Sequence, residues 1–137
     1  MPFVVDASIT AAWCFADENN STANEALLRL AGDEAVVPVL WWFEIRNVLI
    51  INERRGRIDT AGTAEFLADL AQLPLRIDHR ADSETVMAFA RKHTLTAYDA
   101  AYLELALRIN GPLATLDRAL AAGAEAEGVE LITSQVM

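Results

Sequence analysis

Four acidic residues stand where a carboxylate can do chemistry rather than decorate a surface: Asp6, Glu44, Asp99 and Asp117. Asp6 closes the apolar run Phe3-Val4-Val5, and Asp117 follows Leu113-Ala114-Thr115-Leu116 directly. Both therefore end short β-like segments, and in an open α/β sheet ligands collect at the carboxyl ends of the strands. Asp99 is the third residue after Thr96, so it opens a helix. Glu44 sits inside a long apolar helix; at about 100° per residue it shares a face with Leu40, Asn47, Val48 and Ile51. Each acid also has a purely structural reading. Asp6 can be a turn residue or a helix cap, although Ser8 is placed to cap the next helix unaided. Glu44 can pair with an arginine from elsewhere in the chain, Asp99 can complete a capping box with Thr96, and Asp117 can be an N-cap.

Taken together the four favour a ligand site. A parallel sheet brings two strand-end acids and one helix-start acid to a single edge. Clustered carboxylates raise one another's pKa, and a hard divalent cation relieves that repulsion. An oxygen-only donor set suits Mg²⁺ or Mn²⁺ rather than zinc. Asn47, one turn beyond Glu44, can hold that carboxylate or reach the same ligand, and the Thr115 hydroxyl can face the same crevice. His79 and His93 lack metal-ligand spacing and read as surface histidines.

The elements that must position these residues alternate between β-like and helical runs, the pattern of an α/β fold with a largely parallel sheet flanked by helices. Strands are expected at 3–6, 35–37, 75–78, 113–116 and 130–132. Helices are expected at 8–15, 20–30, 39–55, 60–73, 83–93 and 96–109, with a short alanine-rich helix after Asp117. Helices 39–55 and 60–73 are expected to pair as a hairpin.

With 137 residues and no linker or repeat, the sequence forms one domain. Its 53% apolar content fills a core without disulfides, and Cys14 is the single cysteine. No stretch reaches the roughly 20 apolar residues of a membrane helix, and the N-terminus lacks the basic region of a signal peptide. A cytoplasmic protein with no membrane role is the expectation. The net charge of −9 excludes nucleic-acid binding by bulk electrostatics. Either nucleic acid is not the ligand, or the negative charge gathers where cations neutralise it.

Four segments in order resemble the PIN domain, and specifically the VapC-type toxins of toxin–antitoxin modules. They are Val5-Asp6-Ala7-Ser8; Pro38-x-Leu40-x-x-x-Glu44-x-x-Asn47-Val48-Leu49; Tyr98-Asp99-Ala100-Ala101-Tyr102-Leu103-Glu104-Leu105-Ala106; and Leu113-Ala114-Thr115-Leu116-Asp117. The resemblance covers the chain from end to end. It implies a five-stranded parallel sheet, metal-dependent endoribonuclease activity and neutralisation by a cognate antitoxin. It assigns metal-site roles to Asp6, Glu44, Asp99 and Asp117, with Thr115, Asn47 and Ser8 as supporting polar groups.

On that reading RNA is drawn by the metal and by arginines such as Arg46, Arg54, Arg55 and Arg57. Surplus apolar surface between Val39 and Leu73, including the block Trp41-Trp42-Phe43, serves a homodimer or the antitoxin. The rival is a catalytically silent PIN-like protein-binding module. A haloacid-dehalogenase-like phosphatase is disfavoured because Asp6-Ala7-Ser8 lacks a second aspartate. A phosphotransfer receiver needs a strand-end lysine, and the one lysine, Lys92, falls within a helix.

Overall fold

Short valine-rich segments build the sheet because β-branched side chains suit a pleated, fully covered layer. The computed structural model describes residues 1–15 and 20–133. Strands β1 (Phe3–Val5), β2 (Ala35–Pro38), β3 (Leu75–Asp78) and β4 (Leu113–Ala114) form a parallel sheet in the order β3-β2-β1-β4. Phe3, Val4 and Val5 are wholly buried, so helices cover both faces of the central strand. The expected fifth strand is reduced to one parallel bridge, Leu113 to Leu131. It is held by Leu113 N–H to the Glu130 carbonyl and Ile132 N–H to the Leu113 carbonyl, each 2.9 Å.

The helices are α1 (Ala7–Cys14), α2 (Ser21–Arg29), α3 (Val39–Arg54), α4 (Thr60–Ala71), α5 (Ser83–His93), α6 (Ala97–Ile109) and α7 (Arg118–Ala126). Most start on a side-chain cap: Asn20, Asp59, Asp82, Thr96 and Asp117 each accept an N–H from the first turn, the last two as the sequence suggests. Helix α1 departs from expectation. Its cap is Asp6, which accepts the Ile9 N–H, and Ser8 lies inside the first turn.

Helix α3 follows β2 without a loop, with Pro38 as its cap residue. Because α3 is apolar nearly all round, periodicity alone does not select its inner face. The buried stripe is Trp41, Ile45, Leu49 and Asn52, which leaves Glu44 on its flank. The Trp41 indole N–H donates to the Thr10 hydroxyl at 2.9 Å, and that hydroxyl donates to the Asp6 carbonyl at 3.1 Å. Helix α3 is thereby pinned to the first turn of α1. Helices α3 and α4 face each other across a cleft of about 180 Å³, lined by Trp41, Trp42 and Arg46 on one side and Leu67 and Leu70 on the other. His93 is mostly buried, contrary to the surface reading, and its Nε2 lies 2.6 Å from a Glu127 carboxylate oxygen.

Candidate active site

Parallel strands end on the same edge of the sheet, so β1 and β4 deliver Asp6 and Asp117 to one place. From β1 the chain proceeds to β2 on one side, whereas β4 lies on the other. This is the switch point at which connections diverge and a crevice opens. Helix α6 runs beside β1 and β2 and presents Asp99 at its start, and α3 supplies Glu44 from its second turn.

Asp6 is the buried centre, with 5% of its surface exposed. One carboxylate oxygen accepts the Ser8 hydroxyl at 2.6 Å and the Ile9 N–H at 3.1 Å, and the other accepts the Thr115 hydroxyl. Ser8 Oγ in turn accepts the Leu116 N–H, and Thr115 Oγ1 accepts the Asp117 N–H, each at 3.0 Å. These bonds stitch the ends of β1 and β4 together around one carboxylate. Glu44 is half-buried and accepts the Tyr102 hydroxyl at 2.6 Å. An arginine partner was one expectation for Glu44; the partner found is a phenol on α6. Asp117 Oδ1 accepts the Leu120 N–H at 2.8 Å, and the Asp99 N–H donates to Thr96 Oγ1 at 3.1 Å. The capping readings of Asp6 and Asp117 are therefore correct, and they are compatible with a site because each carboxylate keeps acceptor capacity.

The electrostatics tie the four together. Burial pushes the Asp6 carboxyl above the ordinary aspartate range, the Asp117 charge adds to that, and the bonds from Ser8, Thr115 and Ile9 pull the other way. Glu44 is raised by burial and then by the charges of Asp6 and Asp99. Asp99 is raised by burial and then by Asp117 and Asp6. Tyr102 is raised by burial and by its bond to Glu44, so it stays a neutral donor. Of the supporting residues, Ser8 and Thr115 bond Asp6 directly. Asn47 is exposed and lines the groove beside Glu44. Tyr102 had no role in the sequence reading. Its spacing of three from Asp99 places both on neighbouring turns of one helix face, the signal that could have found it.

The donor set fits a hard divalent cation on its chemistry. All four candidates are carboxylates, and the groups reaching Asp6 and Glu44 are hydroxyls and a backbone N–H rather than cationic side chains. As the side chains stand, no three acids, histidines or cysteines among the described residues close around a common point. A cluster held at such cost should gain stability when one charge is removed. Asp99→Asn is expected to melt about 2 °C higher than the parent in EDTA, a gain already discounted for the solvent screening of a half-exposed group. The raised carboxyl binds its proton more tightly in the folded state, so the parent recovers stability as pH falls and the asparagine's advantage shrinks. A melting temperature in EDTA at or below the parent's would contradict this account.

A groove of about 810 Å³ opens off the cluster along α3, lined by Leu40, Phe43, Glu44, Asn47, Ile50 and Tyr98, with Arg46 and Arg54. Of the four arginines singled out in the sequence, these two reach it. Arg57 instead donates to Asn52 Oδ1 at 2.8 Å and lies over the Phe15 ring.

The PIN domain family model matches residues 3–134. Ribonuclease VapC3 of Pyrobaculum aerophilum is 36% identical over 124 residues, 88% of this chain and 93% of that relative. The crystal structure of PAE2754 from the same organism superposes with a TM-score of 0.70 at 25% identity, covering 90% of this chain and 84% of that one. A toxin–antitoxin complex from Klebsiella pneumoniae shares the fold, with a TM-score of 0.56 at 18% identity over 83% of this chain and 85% of that one.

Proposed function

Given that this chain belongs to the PIN domain family, alongside VapC-type ribonucleases, we propose that it is an endoribonuclease toxin acting as one nuclease domain through Asp6, Glu44, Asp99 and Asp117. The observation that carries the reading is the buried Asp6 carboxylate, held by Ser8 and Thr115 at the switch point and coupled to the charges of the other acids. Asp6 and Asp99 are the first choices to hold Mg²⁺ or Mn²⁺, with Glu44 and Asp117 as further ligands or as groups that orient water. A divalent cation bound there supplies an acidified water and positive charge for the scissile phosphate. The protein supplies position. Ser8 and Thr115 fix the Asp6 carboxylate, and Tyr102 fixes Glu44, which limits the reorganisation these two acids undergo when RNA arrives.

Family likeness supports three further points. A cognate antitoxin neutralises the protein, copies of the chain associate as a homodimer, and both act in the cytoplasm. Among the described residues no helix is long and apolar enough to cross a membrane. Exposed Val39 and Trp42 on α3 supply apolar area for such partners.

The test is cleavage of a panel of structured RNAs by antitoxin-free protein, with Mg²⁺ or Mn²⁺ against EDTA. Cleavage is expected with either metal and none in EDTA. Undiminished cleavage in EDTA would refute the metal-dependent mechanism. Folded protein inert on every RNA would favour the silent binding module.

A further inference from the structure

We propose that the groove along α3 is the seat of an unpaired RNA base beside the cleavage site, with Phe43 and Tyr98 as its stacking surfaces and Arg54 and Arg46 as its phosphate contacts. This rests on the reading of the carboxylate cluster as an RNA-cleaving centre and names the residues that position RNA beside it.

Phe43 and Tyr98 immediately precede Glu44 and Asp99, so each aromatic ring comes from the helix turn that carries an acid of the cluster. They are 62% and 65% exposed, far more than packing requires, and both line the groove whose wall includes Glu44. An exposed aromatic ring offers a π-face, and every base has a matching one.

The charge pattern selects the occupant. In a protein of net charge −9, this groove carries two arginines although it opens onto acids. The Arg46 guanidinium lies 3.6 Å from the centre of the Trp42 ring and donates to the Trp42 carbonyl at 3.1 Å, which holds it in place. Arg54 lies ten residues beyond Glu44 on α3, about 15 Å along the helix. A strand that offers flat apolar faces and regularly spaced anions matches aromatic rings flanked by two cations, of which Arg46 is held in place. In a duplex the base faces are covered by their stacked neighbours, so the base must be unpaired.

The probe is a 2′-O-methyl oligoribonucleotide carrying 2-aminopurine, which resists cleavage and loses fluorescence on stacking. Purified antitoxin-free protein in Mg²⁺ should quench it, and on a probe already annealed to its complementary strand added protein should cause no further change. Phe43→Ala and Tyr98→Ala should each raise Kd about tenfold, as the loss of one base–aromatic stack implies. Phe43→Leu should not rescue, because it restores apolar area without a π-face. Leu28→Ala, at an exposed apolar position on α2, should change nothing.

Absent quenching by the parent, or a Kd in both alanine variants equal to the parent's, would overturn the proposal. So would variants that bind the oligonucleotide normally but escape neutralisation by an antitoxin, since the groove would then be a protein seat. Binding is read without turnover, so the two readings fail separately. Quenching that depends on Phe43 in a protein that cleaves nothing supports the base seat and removes the nuclease; cleavage indifferent to both rings does the reverse.

Discussion

Asp6→Asn is expected to lower the cleavage rate by roughly a hundredfold to a thousandfold while the protein melts no lower than the parent in EDTA. The substitution keeps the shape of the side chain and removes its charge. Asparagine is as good an N-cap as aspartate, so its remaining oxygen still accepts the Ile9 N–H that starts α1. Ser8 bonds that same oxygen, so the amide nitrogen faces Thr115, whose hydroxyl can rotate to accept instead of donate. Burial of a charge that Asp117 repels is also relieved. Only the anionic oxygens needed to hold a cation are lost, and removal of a principal electrostatic contributor costs about 10²–10³ even when the rest of a site survives. Single-turnover rates in Mn²⁺ beside thermal melts in EDTA check both halves. A variant within tenfold of the parent would remove Asp6 from the chemistry, and one that unfolds would leave its role to be read from Asp99→Asn.

The second large effect lies outside the site and concerns stability. Glu104 is 3% exposed, and Arg108 one turn further along α6 donates to it through Nε at 2.6 Å. The same guanidinium reaches both carboxylate oxygens of Asp78, at 2.8 and 3.1 Å, while the Asp82 N–H donates to Glu104 at 3.2 Å. One cation thus ties α6 to the end of β3, and its acid partner ties α6 to the start of α5. The Arg108 bonds hold the Asp78 carboxyl below the ordinary aspartate range, so this part of the tie is present at neutral pH and lost as pH falls through the folded-state pKa.

Arg108→Met leaves a buried carboxylate without its cation and should cost about 3 kcal/mol, lowering the melting temperature by roughly 10 °C. Adding Glu104→Met should recover more than half of that, because two apolar side chains replace the pair without an orphaned charge. A single variant within 1 kcal/mol of the parent in urea denaturation would show that water, not Arg108, satisfies Glu104.

These two cases mark the limit of what the sequence discloses. Asp6, Asp99 and Asp117 were legible because strand ends and helix starts are local patterns, and a parallel sheet gathers them at one edge. The limits of β3 and α5 were legible for the same reason. The face of α3 was not. Trp41, Ile45 and Leu49 are no more apolar than Leu40, Val48 and Ile51, so only contact with the Thr10 hydroxyl and the sheet decides which stripe turns inward. The cap of α1 was misplaced by two residues because Asp6 and Ser8 both favour that role, and the selection is made by Thr115, 109 residues away. The bond of Tyr102 to Glu44 and the bonds of Arg108 to Asp78 were missed for a related cause. Those partners lie 58 and 30 residues off in sequence, and no periodicity reports such pairs. The fifth strand was overstated because 130–132 has the composition of a strand but meets its neighbour only at Leu131.

The double employment of Asp6 and Asp117, each a helix cap as well as a candidate ligand, also shapes how the chain can drift. A lineage released from the need to cleave RNA can discard the charge at either position without discarding the cap, by exchange to asparagine or serine. Alanine, by contrast, removes the cap as well, at about 1 kcal/mol per helix. Descendants that keep the fold as inert binding modules should therefore carry small polar residues at these two positions far more often than apolar ones. Asp99 is not itself an N-cap, because Thr96 holds that position. Its replacements should wander freely, so the three positions together form a record of whether selection on chemistry has lapsed.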